Sequence, residues 1–167
     1  MNKLQLLIIT LFCTLNLQAQ EMETTTYYLI RHAEKVRSNI KIKNPNLKEK
    51  GVSRAIKWSK TFEHINFDYI FSTNYKRTIQ TALPTAKRKN LEIQFYDPSD
   101  LFNDEFRAQT KGKTVLIVGH SNTTPQFVNK ILEVEKYPEM DDRNNANLYI
   151  ITISNNNISD ILLKIAD

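Results

Sequence analysis

Two short, nearly uninterrupted apolar runs, Tyr27-Tyr28-Leu29-Ile30 and Val115-Leu116-Ile117-Val118, constrain this chain most, because each stops abruptly before a histidine. A strand with no polar alternation cannot leave one face in water, so each run belongs in a sheet covered on both sides. The intervening sequence switches period. Val52, Ala55, Ile56, Ser59 and Phe62 recur at helical spacing over residues 47–64, so that stripe is expected to face a core. Residues 35–45 are polar and rich in Lys and Asn, as a surface loop would be.

The alternation continues along the chain. Residues 67–71 form a second short apolar run, and Ser72-Thr73-Asn74 offers side chains to cap a helix over 75–89, in which Pro84 is a candidate kink. Leu91, Ile93 and Phe95 alternate with polar residues in a third strand, 91–96, stopped by Asp97-Pro98. Residues 99–110 carry a weak helical pattern, and Lys111-Gly112-Lys113 turns into the strand at 114–118. A helix over 124–132 tolerates Pro125 in its first turn. After a polar loop, 133–146, the strands 148–153 and 158–163 flank Ser154-Asn155-Asn156-Asn157, residues that accept the positive φ of a tight hairpin. Strands alternating with helices predict an α/β fold: three layers, α/β/α, with a mostly parallel central sheet and an antiparallel C-terminal hairpin.

Residues 1–19 stand apart from this pattern. Met1-Asn2-Lys3 is a basic start, residues 4–17 are largely apolar, and Ala19 is a small residue at which a signal peptidase can cut. The apolar stretch falls short of the roughly 20 residues that span a bilayer. The expectation is a signal peptide at 1–19, a single domain at 20–167, and an exported, periplasmic or secreted protein with no stable membrane insertion after cleavage. Cys13 is the only cysteine, and bulky Phe12 before it argues against a lipid anchor. The alternative, should the segment prove uncleaved, is a cytoplasmic protein.

The formal net charge of +5 gives general attraction for anions. Nucleic acid is not indicated, since no stretch interleaves aromatic with basic residues and no finger motif is present. Lys87-Arg88-Lys89 lies where a helix should end, as a dipole-compensating terminus.

Ligands of such sheets collect at the carboxyl ends of the strands. Three predicted strands end in reactive residues: Arg31-His32, the segment from Ser72 to Arg77, and Gly119-His120. Arginine supplies planar, permanently charged donors that match phosphate oxygens, and a neutral imidazole can attack phosphorus. The three histidines lack the spacing of a preformed zinc site, so no metal is indicated, and His64, at a helix end, is assigned to the surface.

Tyr28-Leu29-Ile30-Arg31-His32-Ala33 resembles the Arg-His-Gly signature of the histidine phosphatase superfamily, also called phosphoglycerate mutase-like. Ser72-Thr73-Asn74-Tyr75-Lys76-Arg77-Thr78-Ile79-Gln80-Thr81-Ala82 is similar to its second motif, Ser-x-x-x-x-Arg-x-x-Gln-Thr-Ala, and Val118-Gly119-His120 to its third. A weaker match is Leu47 to Gly51 with Ala55. The resemblance implies a phosphatase that hydrolyses phosphomonoesters or phosphoramidates through a phosphohistidine at His32, with Arg31, Arg77 and His120 holding the phosphoryl oxygens and no cofactor or metal. It further implies a small anionic phosphorylated substrate or a phosphoprotein as partner. Asn122, in the third motif, is a further candidate phosphate contact. Lys35 is either another such contact or a solvated loop lysine.

The chain departs from the family at the proton donor, usually a glutamate in Leu-x-Glu, where Leu101-Phe102-Asn103 places an asparagine. Asp104, one residue on, is the first candidate replacement, and Glu105, two residues on, is the other. A missing acid favours substrates with good leaving groups, as in the small bacterial phosphohistidine phosphatases that this chain resembles. The alternative is a catalytically weak or inactive phosphate- or phosphoprotein-binding module.

Overall fold

The computed structural model describes residues 23–38, 41–155 and 157–165. The segment expected to be a signal peptide lies outside them. The elements run β1 (Thr24–Arg31), α1 (Glu49–Thr61), β2 (Tyr69–Ser72), α2 (Lys76–Lys89), β3 (Ile93–Phe95), α3 (Asp104–Thr110), β4 (Thr114–Gly119), α4 (Thr123–Leu132), β5 (Asn147–Ser154) and β6 (Asn157–Lys164). They form one six-stranded sheet in the order β3-β2-β4-β1-β5-β6. The first four strands in that order are mutually parallel, and β5 and β6 are antiparallel. The fold is the expected α/β/α arrangement with a parallel core and an antiparallel C-terminal hairpin.

The two apolar runs are central because their alternate side chains serve two cores. Tyr27, Leu29, Val115 and Ile117 pack with Phe106, Phe127 and Ile131 of α3 and α4. Ile30, Leu116 and Val118 point the other way, toward Trp58, Phe62, Ala82 and Ala86. Burying each large side chain fully contributes about 1.5–3 kcal/mol, so flipping the register of β1 or β4 by one residue would displace both cores together.

The buried stripe of α1 departs from the expected one in part: Ala55, Ser59 and Phe62 are buried as expected. Val52 and Ile56 are half exposed, and the buried positions are Gly51, Arg54, Ala55, Trp58 and Ser59. Trp58 carries the largest apolar surface in the helix and turns that face inward. Gly51 fixes the rotation, because a Cβ there would lie 2.2 Å from the Glu34 carbonyl oxygen. On α2, Thr78, Thr81, Ala82, Thr85 and Ala86 form a buried face of small residues. Pro84 lies inside this helix, and its carbonyl accepts a hydrogen bond from Ser59 Oγ of α1 at 3.1 Å.

The expected cap of α2 is absent: Tyr75 holds the cap position with no side-chain bond, and Thr73 is engaged elsewhere. The basic run at its other end does terminate the helix, where Asn90 takes φ +54°. Arg88 and Lys89 also bond Glu63 beyond the end of α1. Gly112 has φ +69° in the expected turn, and Asn155 has φ +48° in the hairpin.

Candidate active site

Parallel pairing brings the carboxyl ends of β1, β4 and β2 side by side, with Arg31 opposite Gly119 and Ser72 opposite Val118. His32 continues the ladder, its backbone N–H donating to Gly119 O at 2.9 Å. Gly119 has to be small: a Cβ would lie 2.7 Å from Thr124 Oγ1 and 2.8 Å from the Tyr96 hydroxyl. The chain therefore turns tightly between β4 and α4 and leaves His120 at the rim, with its N–H donating to Thr123 Oγ1 at 3.1 Å. The His32 and His120 rings stand 5.6 Å apart, inclined at 66°.

His32 is buried and its Nδ1 lies 2.7 Å from Ala33 O. A carbonyl only accepts, so Nδ1 carries the proton and Nε2 keeps a lone pair. Burial outweighs that hydrogen bond, and the charges of Arg31 and Arg77 act in the same direction as burial, pushing the imidazole pKa down to about 3. His32 is therefore neutral, and nucleophilic at Nε2, throughout the physiological range.

His120 is assigned the opposite tautomer by its neighbours. Arg77 Nη2 donates to His120 Nδ1 at 3.3 Å, so the proton is on Nε2, which reaches Thr73 Oγ1 at 2.9 Å. Thr73 in turn donates to Thr78 Oγ1, and Thr78 to the carbonyls of Thr73 and Tyr75. Burial, reinforced by Arg77, Lys35 and Arg31, lowers the His120 pKa to about 4. Tyr75 braces both partners, its ring edge-on to His120 with centroids 5.1 Å apart and 4.4 Å below the Arg77 guanidinium.

Arg31 is buried and held by one distant loop. Its Nη1 donates to Asp141 O at 2.9 Å and Asn144 O at 3.0 Å, and its Nη2 donates to Asp142 Oδ1 at 2.8 Å. Asn145 Nδ2 donates to His32 O at 2.8 Å, so the same loop also fixes the histidine backbone. Of the five guanidinium donors, Nε and one Nη2 hydrogen are left. Arg31 Nε, Arg77 Nε and Arg77 Nη1 are buried with no hydrogen-bond partner. An unpaired buried donor costs about 1–3 kcal/mol, so each guanidinium keeps donors that an anion's oxygens would satisfy.

The second motif explains itself in contacts. Thr81 Oγ1 accepts from Ala33 N and donates to Arg77 O, tying the segment after His32 to the helix that carries Arg77. Gln80 accepts from Leu47 N and donates to Asn46, pinning the far end of the β1–α1 loop. Glu34 takes three hydrogen bonds from Arg54 at 2.9–3.1 Å.

The structure brings His32, Arg31, Arg77 and His120 together, with Lys35 half-buried in the cavity that His32 lines. Asn122 lies at the start of α4, two residues from His120, with its side chain exposed. Asp104 is not brought to the cluster. Its side chain is fully exposed, 3.8 Å from Arg107, and lines a separate groove with Thr25, Lys111 and Ile153. Asn103, at the position of the family glutamate, caps α3 by accepting from Phe106 N at 2.8 Å, and this cap directs Asp104 outward.

Thr73 was expected only as a helix cap, and Tyr75 and Asp142 were given no individual role from the sequence. Thr73 and Tyr75 lie inside the second motif, where their presence was a usable signal. Asp142 sits in a featureless polar loop about which the sequence said nothing. Among the described residues, no group of three or more His, Cys, Asp or Glu side chains is arranged to hold a metal ion. No described helix is long and apolar enough to cross a membrane.

The fold and this cluster define an α/β/α protein with a buried, neutral histidine set among arginines at the carboxyl rim of a parallel sheet. The model of the histidine phosphatase superfamily (branch 1) matches residues 27–98, which include the first two motifs. Phosphoserine phosphatase 1 of Hydrogenobacter thermophilus is 28% identical over 115 residues, covering 66% of this chain and 46% of that protein, so the chain spans about half the length of this curated relative. The SixA protein of Agrobacterium tumefaciens superposes with a TM-score of 0.61 at 19% identity, covering 83% of this chain and 97% of that one. A phosphoserine phosphatase from Entamoeba histolytica, in complex with phosphoserine, superposes with a TM-score of 0.63 at 16% identity, covering 81% and 94%. Over residues 27–98 the chain is similar to the histidine phosphatase superfamily, and it shares the fold of the superposed phosphatases.

Proposed function

We propose that the protein is a phosphatase that moves a phosphoryl group from its substrate to His32 and then to water. The observation that carries this reading is the set of partnerless buried nitrogens, Arg31 Nε with Arg77 Nε and Nη1, next to an imidazole that stays neutral. In the first step the Nε2 lone pair forms a P–N bond while the bond from phosphorus to the leaving group breaks and the leaving group keeps the electron pair. In the second, water forms a P–O bond, the P–N electrons return to Nε2, and the water proton passes to the released group or to solvent. Arg31 and Arg77 hold the equatorial oxygens in both steps. As the phosphoryl dianion enters, its charge favours protonated His120, which then adds a third donor.

No acid stands ready for the leaving group among the described residues of the cluster. Arg37 and Arg31 hold the Asp142 carboxyl well below the usual carboxylate range, and Glu34 is occupied by Arg54. Good leaving groups, acyl phosphates or phosphoramidates including phosphohistidine, therefore suit the site best, with ordinary phosphomonoesters slower. The missing acid also supports a second reading, a phosphate- or phosphoprotein-binding module with little turnover. Work outside the cytoplasm remains part of the proposal and rests on residues 1–19 alone; intact-mass measurement of the protein from its native host tests cleavage there.

The activity test is phosphate release from acetyl phosphate and from a generic phosphoester, wild type against His32→Ala. We expect turnover that the variant lacks. Equal rates would sink the phosphatase reading, and phosphate binding without turnover would select the second.

A further inference from the structure

The two edges of the sheet are finished differently. β3 is three residues long and runs into Asp97-Pro98, so it offers a second chain little to pair with. β6 is eight residues long, contains neither proline nor glycine, and exposes every residue except Asp160. Four of the exposed residues are large aliphatics, Ile158, Ile161, Leu162 and Leu163, with between 40% and 56% of their surface open. Successive residues of a strand point to opposite faces, so Ile158 and Leu162 leave apolar surface on one face and Ile161 and Leu163 on the other. The backbone of β6 has a free side as well. Ser154 and Asn157 close the hairpin, and at the other end Ile165 N donates to Ala146 O at 2.9 Å. Antiparallel bonds alternate along a strand, so the odd-numbered residues turn their N–H and C=O groups to β5, and Ile158, Asp160, Leu162 and Lys164 turn theirs outward. Among the described residues, no strand pairs with that outer side.

We propose that β6 is the seam of a two-fold homodimer, pairing antiparallel with β6 of a second copy so that the two sheets become one. Charge selects the register. With Leu162 on the two-fold axis, Leu162 faces its own copy, Asp160 faces Lys164 of the second copy and Lys164 faces the second copy's Asp160. Both ion pairs then form, and the outward backbone groups of the two strands meet. On the other face, Ile161 and Leu163 stand opposite Leu163 and Ile161 of the second copy, and the four aliphatic side chains cover one another. Centring the pair on Asp160 would set two carboxylates face to face, and centring it on Ile161 would set Asp160 against Leu162 and Lys164 against Ile158. Lys136 and Tyr137 bond the Asp160 carboxylate, and its Oδ1, which accepts from Lys136 alone, keeps room for a second cation. Among the described residues, Lys164 has no side-chain partner of its own. Each molecule uses this edge once, so the assembly closes at two. The seam uses no residue of the histidine and arginine cluster and stands independently of the phosphatase reading.

Sedimentation velocity of the full chain over a concentration series tests this. We expect a reversible dimer, with twice the mass of the chain. Leu162→Lys, which sets two ammonium groups on the axis, should raise the dimer Kd by about a hundredfold or more. Lys164→Glu, which turns both attractive pairs repulsive, should raise it by about tenfold. Val52→Lys, at an exposed apolar position of α1, should leave it within about twofold of wild type. All three positions are on the surface, and circular dichroism of each variant guards against misfolding. The register is read by cross-linking with a short bis-maleimide and peptide mass spectrometry: Leu162→Cys should link to the same position of the second copy, and Ile158→Cys should not. A monomer at every concentration, or a dimer that Leu162→Lys leaves intact, overturns the seam. A dimer lost in Leu162→Lys but linked through Ile158→Cys instead of Leu162→Cys overturns the register.

Discussion

Two polar clusters in this protein, one around Asn129 and one around Arg77 and Arg31, are built in opposite ways. Around Asn129, on α4, every demand is met: Nδ2 donates to Glu135 Oε2 and Tyr137 O, and Oδ1 accepts from Lys136 N and Tyr137 N. Around Arg77 and Arg31 three buried donors have no partner, and the nearby imidazoles are driven to neutrality. The first cluster closes a turn. The second leaves guanidinium donors unpaired, and the proposed function assigns these to the oxygens of a phosphoryl group. The difference separates polar burial that stabilises a fold from polar burial that awaits a ligand.

Substitutions sharpen the comparison, beginning with the largest effect. His32→Ala should lower phosphate release by about 10⁴-fold or more, since it removes the attacking atom while leaving the arginines in place. Arg77→Met should cost about 10²–10³-fold in turnover, as expected for loss of a donor to developing charge. Its unfolding free energy should be unchanged or raised by about 1 kcal/mol, because removing two buried nitrogens without partners offsets loss of the long hydrogen bond to His120 and the contact with Tyr75. Asn129→Ala should do the reverse, destabilising by about 2–3 kcal/mol with phosphate affinity within twofold of wild type. Chemical denaturation and calorimetric titration with inorganic phosphate read both quantities. If Arg77→Met destabilises as much as Asn129→Ala, the contrast between the clusters is broken.

The pH dependence of stability follows from the same histidines. His32 and His120 have folded pKa values of about 3 and about 4, below the ordinary 6.5, so the unfolded chain binds more protons between those values. Stability is therefore fully present above about pH 6.5 and falls as pH drops toward about 4, by up to roughly 1.4 kcal/mol per pH unit for each histidine. Saturating phosphate should flatten this slope, because a bound anion favours protonated imidazole. A slope between pH 6.5 and 5 that survives in the double variant His32→Ala, His120→Ala would assign it elsewhere. The smallest effect is expected for Asp104→Asn, within about twofold in turnover, which distinguishes the exposed Asp104 from a proton donor.

The parts of the molecule legible in the sequence were those set by local patterns. The apolar runs of β1 and β4 could only be buried strands, and each ended at a residue now found on one rim. Turn chemistry at Gly112 and Asn155 was equally local. What escaped depended on partners far along the chain. The phase of α1 was set by Trp58 and by the contact of Gly51 with Glu34, whereas Val52 and Ile56 suggested another face. Thr73 had the composition of a cap but is bonded to His120, 47 residues away. The grip of Asp142 on Arg31 spans 111 residues and leaves no trace in either segment. Asp104 was proposed from its proximity to a motif position, and the cap made by Asn103 turned it outward.

The central claim is that His32 Nε2 takes the phosphoryl group. Acid-free quenching of the protein during turnover of acetyl phosphate, followed by peptide mass spectrometry, tests it most directly. The account predicts an acid-labile, base-stable phosphoryl group on His32 that is absent from His32→Ala and fades once substrate is exhausted. Turnover with no phosphoryl group on His32, or with one on His120 instead, would contradict it.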